Sequence, residues 1–177
     1  TVVFLDLRQF TPFAESHSPQ EVIRLVRELH QTVGPIIFRY GGTLERFTGD
    51  GLMVFLGDPE PMEDHPLQAV RMAIEIREKI AALTERWAAD GFDLKLGIGI
   101  ASGVASLGSI GFEGRLDYAA IGTVTNLASR ICGQAQGSQI LIDESTQERL
   151  PDDIKTQAVG EIDLRGFSRM HVVYEVL

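Results

Sequence analysis

The sequence predicts an α+β domain, built on a ferredoxin-like βαββαβ core with additional C-terminal strands and helices. Three observations carry that prediction. Apolar runs of strand length alternate with two long segments of helical periodicity through the first half of the chain. An Asp-Gly pair, Asp50-Gly51, separates two short strand-like runs and marks a hairpin. The resulting order is strand, helix, strand, strand, helix, strand.

Thr1 to Leu7 opens the chain as a buried strand, with Val2, Val3, Phe4 and Leu5 consecutive and apolar. Ser18-Pro19-Gln20-Glu21 starts a helix: serine caps, proline takes the first helical position, and glutamate follows three residues after the cap. Val22, Leu25, Val26, Leu29, Val33, Ile36 and Ile37 then recur at helical spacing until Gly41-Gly42 stops the run. The hairpin strands are Thr43 to Thr48 and Leu52 to Leu56. After the loop Asp58-Pro59-Glu60-Pro61, a long helix spans about Pro66 to Ala89. Phe92, Leu94, Leu96, Ile98 and Ile100 alternate as a half-buried strand.

Beyond the core, Gly103 to Gly114 reads as a loop or irregular hairpin and Leu116 to Ile121 as a strand. A helix from about Val124 to Ala135 follows. A short strand (Gln139 to Ile142), a short helix (Glu144 to Leu150) and a final strand (Val172 to Val176) complete the chain.

The 177 residues suit one domain, taken as residues 1–177, with enough length for a substantial core. Entry into an apolar strand almost at once suggests a domain cut from a longer protein, with an upstream anchor or sensor removed. No apolar run is long enough to cross a bilayer, so no membrane contact by this segment is expected. The net charge of −9 argues against a nucleic-acid partner. It remains compatible with nucleotide chemistry, because divalent cations supply positive charge. The single cysteine, Cys132, cannot form an internal disulfide, which suits a reducing cytoplasm.

Two carboxylates are the candidate catalytic groups. Asp6 stands where the first strand is about to end, and Asp50 stands in the hairpin turn. A split βαβ sheet lays the first strand beside that hairpin, so the two side chains converge. Alone, Asp50 reads better as a turn former and Asp6 as the end of a strand. Together they suit magnesium, which keeps open positions for water and phosphate. Two ions about 4 Å apart steady the attacking and leaving oxygens of an in-line displacement. The following turn, Leu7-Arg8-Gln9-Phe10-Thr11-Pro12, leads into a helix and offers backbone N–H groups to phosphate. Asn126 and Arg130 are four residues apart on one helical face. Asparagine can bond a ribose oxygen, and arginine can hold charge developing on a phosphoryl group.

Phe4-Leu5-Asp6-Leu7-Arg8-Gln9-Phe10-Thr11 resembles the first metal motif of class III adenylate and guanylate cyclases. Arg46-Phe47-Thr48-Gly49-Asp50-Gly51-Leu52-Met53-Val54-Phe55 resembles the second. Ile121-Gly122 through Asn126-Leu127-Ala128-Ser129-Arg130 is similar to the helix bearing the ribose and transition-state residues. Leu164-Arg165-Gly166 and Val173-Tyr174-Glu175-Val176 match the family's closing strands. The resemblance covers nearly the whole chain. It implies two Mg²⁺ or Mn²⁺ ions held by Asp6, Leu7 and Asp50, and a nucleoside triphosphate bound near Phe10 and Thr11. It also implies a homodimer with shared active sites, in which one subunit supplies the aspartates. The other supplies Asn126, Arg130 and the purine-reading positions, Arg46 and Ala119.

The pair Arg46 and Ala119 departs from both the adenylate and the guanylate pattern. Arginine only donates, which favours adenine over guanine and hence ATP. Glu45 adjoins Arg46 and is expected on the opposite face of its strand. Phe167 stands near the family's phosphate-binding lysine, with Arg165 or Arg169 as the replacement. The alternative functions are a nucleotide-binding regulatory domain with weak or no turnover, or a guanylate cyclase. A diguanylate cyclase is disfavoured, because the hairpin Thr48-Gly49-Asp50-Gly51-Leu52 lacks that family's signature. Nothing in the spacing of His17, His30, His65 and His171 suggests a metal site, and Cys132 reads as a small apolar residue.

Overall fold

A computed structural model describes residues 1–177. The elements are β1 (Val2–Arg8), α1 (Phe10–Ser16), α2 (Pro19–Arg39), β2 (Thr43–Phe47), β3 (Gly51–Phe55), α3 (His65–Ala89) and β4 (Lys95–Ala101), then β5 (Ser106–Phe112), β6 (Arg115–Ile121), α4 (Thr123–Gln134), β7 (Ile140–Asp143), α5 (Glu144–Gln147), β8 (Thr156–Ile162) and β9 (His171–Val176). Seven strands form one sheet in the order β2-β3-β1-β4-β7-β9-β8, and β5 pairs only with β6 as a separate ribbon. The expected βαββαβ core is present: β1 lies between β3 and β4, antiparallel to both. No helix is long and apolar enough to cross a membrane.

Strand alternation gives the sheet two working faces. Val3, Leu5, Leu52, Val54, Ile98 and Ile100 enter a 28-residue core beneath α2 and α3. The Ser18 cap works as expected: its hydroxyl accepts from the Glu21 amide at 3.3 Å, and the Glu21 carboxylate accepts from the Ser18 amide at 2.9 Å. On the other face, Val2, Met53, Phe55 and Ala101 form a seven-residue cluster with Ala120, Val124 and Ala128. Helix α4 rests there directly on β4. A Cβ at Gly99 would lie 2.1 Å from the Cys132 amide nitrogen, so only glycine lets the helix backbone come this close.

Three expectations needed correction. Of the two readings of Gly103 to Gly114 the hairpin holds and the loop does not: Ser106–Phe112 is a strand, in regular rather than irregular register with β6. Strand β8 was not foreseen, because Thr156–Ile162 is an outer strand with no apolar alternation. Leu164-Arg165-Gly166 is not a strand but the turn after β8: Leu164 is buried, the Phe167 amide donates to its carbonyl at 3.0 Å, and Gly166 takes φ +94°.

Candidate active site

The same alternation that buries Leu5 and Leu7 turns Phe4, Asp6 and Arg8 toward the α4 face. Asp6 sits opposite Gly51 in the β1–β3 register. The hairpin turn is drawn tight by a bond from the Thr48 amide to the Gly51 carbonyl at 2.9 Å, with Gly49 at φ +88°. The Leu7 amide donates to the Asp50 carbonyl at 3.2 Å and fixes the turn against the end of β1. A Cβ at Gly51 would stand 2.2 Å from the Leu5 carbonyl oxygen, so a glycine there is what admits the Asp50 turn. Asp6 and Asp50 are thereby brought together.

That proximity marks the electrostatics. The Asp6 pKa is pushed up to about 6, first by burial and then by the facing Asp50 charge, against the opposing pull of Arg8. The Arg8 guanidinium lies 3.2 Å from the Asp6 carboxylate and donates to the Cys132 carbonyl of α4 at 2.6 Å. It fills space that Gly97 leaves open; a Cβ there would be 2.4 Å from Arg8 Nη2. Two converging carboxylates with one cationic neighbour, Arg8, are an under-neutralised pair, and a divalent cation would supply the missing charge. No third His, Cys, Asp or Glu groups with them. Asp6 and Asp50 therefore fit a hard cation that fills its remaining positions with water and substrate oxygens.

A cleft of about 440 Å³ adjoins this corner, lined by Leu7, Arg8, Gln9, Phe10, Thr11 and Lys95 among others. Gln9 caps α1 in the left-handed region at φ 65°, which turns the chain sharply from β1 into the helix. Phe10 and Thr11 thus open α1, where backbone N–H groups have no partner within the helix.

Asn126 and Arg130 occupy the exposed face of α4, opposite Val124, Ala128 and Ile131. No hydrogen bond or ion pair joins either of them to Asp6 or Asp50 within the chain. Arg46 is also exposed, whereas Ala119 is buried. Glu45 is not on the opposite face as expected. A β-bulge between Leu44 and Arg46 makes Glu45 the extra residue, and its carboxylate accepts from both the Arg46 side chain and the Ala120 amide. Of the arginines considered for phosphate, Arg169 lines a cleft with Thr123, Val124 and Leu127 of α4, and Arg165 does not.

Cys132 is buried, and burial pushes its thiol up to about 12, in keeping with a packing role. His17 stacks on Phe13, His30 lies tilted against Phe47, and His171 packs edge-on to Phe167. The sequence reading gives no role to Arg8 or Lys95. Arg8 had a legible signal, since it lies two residues from Asp6 on one strand and must share its face.

Comparison with known proteins defines the family. Residues 1–176 match the family described as adenylate and guanylate cyclase catalytic domain. Adenylate cyclase 1 of Rhizobium meliloti is 29% identical over 180 residues, covering 100% of this chain and 27% of that protein. The crystal structure of the adenylyl cyclase CyaB from P. aeruginosa superposes with a TM-score of 0.95 at 34% identity, covering 99% of this chain and 92% of that one. The guanylyl cyclase Cya2 gives 0.91 at 30% identity, covering 99% and 89%. The chain belongs to the class III adenylate/guanylate cyclase catalytic domain family. It spans between 8% and 38% of the length of the first curated relatives it matches.

Proposed function

We propose that this chain is the catalytic domain of a longer, cytoplasmic signalling protein, and that it closes ATP, in preference to GTP, into the 3′,5′-cyclic monophosphate with release of pyrophosphate. The observation that carries the proposal is the convergence of Asp6 and Asp50 at the end of β1, with Asn126 and Arg130 free on α4. Two Mg²⁺ or Mn²⁺ ions, when bound, would lower the pKa of the ribose 3′-hydroxyl and neutralise charge on the phosphates. Asp6, Asp50 and the Leu7 carbonyl would hold those ions. The first N–H groups of α1, at Phe10 and Thr11, orient the triphosphate. Asn126 positions the ribose, and Arg130 stabilises charge growing on the α-phosphoryl oxygens. Arg46 donates to an acceptor on the adenine ring.

A homodimer completes the site, with the aspartates from one protomer and Asn126, Arg130 and Arg46 from the other. Two features support it. The four catalytic side chains are not joined within one chain. The β5–β6 ribbon also displays Leu107, Ile110, Phe112, Leu116 and Ile121 to solvent, an apolar surface suited to a second copy.

Incubating the purified domain with ATP or GTP and Mn²⁺, and identifying the product by mass spectrometry, tests the proposal. Cyclic AMP is expected. Nucleotide binding without product would instead favour a regulatory domain, the reading that the unusual Arg46 and Ala119 pair favours.

A further inference from the structure

The carboxylate of Glu45 is the most enclosed charge near the proposed purine pocket. Its side chain is only 2% exposed, while that of its partner Arg46 is 57% exposed. Neighbouring strand residues ordinarily point to opposite faces. Here the register runs Leu44 to Val54 and then Arg46 to Met53, so Glu45 is accommodated as a bulge and shares a face with Arg46. A buried carboxylate is retained only when its oxygens are bonded. Glu45 meets that requirement entirely from the site: Oε1 accepts from Arg46 Nε at 3.0 Å and also from Arg46 Nη2, and Oε2 accepts from the Ala120 amide at 2.9 Å.

This geometry has two consequences. The Ala120 amide belongs to the peptide that joins it to Ala119. One carboxylate therefore spans from β2 to β6 and ties together the two positions assigned to the base. The bond pattern also uses two of the five guanidinium N–H donors, those on one edge, and leaves the outer edge of Arg46 facing solvent. A free arginine on an exposed strand would sample many rotamers; this one is held as a planar fork with a defined outward direction.

We propose that Glu45 is a positioning residue that sets purine selectivity by holding Arg46 in one orientation against β6. It does not touch the nucleotide itself, being enclosed, and acts through Arg46. The proposal rests on the cyclase reading above.

The test is steady-state kinetics with ATP and GTP for wild type, Glu45→Gln, Glu45→Asp, Arg46→Ala and the Glu45→Gln/Arg46→Ala double variant, with thermal unfolding of each. Glu45→Gln removes the charge that holds the guanidinium. It should raise KM for ATP about fivefold, leave kcat within about twofold, and bring the ATP to GTP ratio of kcat/KM close to one. Glu45→Asp should keep more of that ratio than Glu45→Gln does, because it retains a carboxylate. In the Arg46→Ala background, Glu45→Gln should not change selectivity further, which a merely structural role would not predict. Wild-type selectivity in Glu45→Gln beside altered selectivity in Arg46→Ala would overturn the proposal and leave the cyclase reading intact. So would an equal effect of Glu45→Gln with and without Arg46. Absence of cyclase product from wild type would sink the cyclase reading instead, and the ratio of ATP to GTP dissociation constants across the same variants would then decide the role of Glu45.

Discussion

Two glycines on opposite sides of one contact should respond to alanine with opposite signs. Gly99 lies in β4 beneath α4, and a Cβ there would meet the Cys132 amide nitrogen at 2.1 Å, the Cys132 Cα at 2.5 Å and the Ala128 carbonyl at 2.6 Å. All three are backbone atoms of one helix, so no side-chain rotation relieves the clash. Ordinary contact begins at 3.4 Å, so α4 must lift by about 1.3 Å, the difference between 3.4 and 2.1. Overpacking of this kind costs about 1–3 kcal/mol, and a domain of this size loses about 2–4 °C of Tm per kcal/mol. Gly99→Ala should therefore lower Tm by roughly 5–10 °C, near the upper end of that cost. Because α4 carries Asn126 and Arg130, a displacement near 1 Å should also reduce kcat about 100-fold. Gly133 lies on the exposed side of α4 with nothing within 4 Å of its would-be Cβ. Gly133→Ala should stabilise by up to about 1 kcal/mol through helix propensity alone and leave turnover unchanged. Differential scanning calorimetry and single-turnover kinetics read both. A Gly99→Ala protein with native Tm and native kcat would refute the direct seating of α4 on the sheet, and with it the reason for glycine at that position.

Asp6→Asn and Asp50→Asn should each abolish turnover while far-UV circular dichroism stays native; near-normal activity at limiting Mn²⁺ would remove the metal assignment. Mixing inactive Asp50→Asn with inactive Arg130→Ala should restore activity, since a heterodimer regains one intact site; no recovery despite confirmed subunit exchange would count against sharing. The Asp6 carboxyl, pushed up to about 6 from an ordinary 3.8, gives a signed pH dependence. Its folded-state pKa lies above the unfolded one, so the metal-free fold is penalised above about pH 6 and is relieved as pH falls from 6 towards 4. Protons compete with cation for the same group, so Mn²⁺ affinity measured by calorimetry should weaken as pH drops below about 6; a flat profile from pH 5 to 8 would contradict the shared position of Asp6 and Asp50.

Much of the candidate site is legible in the sequence. Val2 to Leu5, the Ser18 cap and the Asp50-Gly51 turn are local signals, and local signals survive folding. Their order alone places β1 beside the β2–β3 hairpin, which is why Asp6 and Asp50 could be paired from sequence. What escaped was decided by partners. Strand β5 is a strand because β6 lies beside it, and β8 because β9 does; neither shows apolar alternation of its own. Glu45 was assigned the wrong face because alternation holds only in an unbroken register, and the bulge between Leu44 and Arg46 depends on β3. Arg8 lay in view, but its course across Gly97 to Cys132 requires knowing that β4 and α4 are its neighbours.

The two faces of the sheet are unequal. One seals 28 residues beneath α2 and α3, while α4 sits on clusters of seven and five, several of them alanine. Amide hydrogen exchange should resolve this as two tiers of protection. Amides of β1, α2 and α3 would exchange only through global unfolding, whereas those of α4 would exchange through a smaller, separate opening. On that expectation, the helix bearing Asn126 and Arg130 would detach and reseat at a fraction of the free energy holding the domain together.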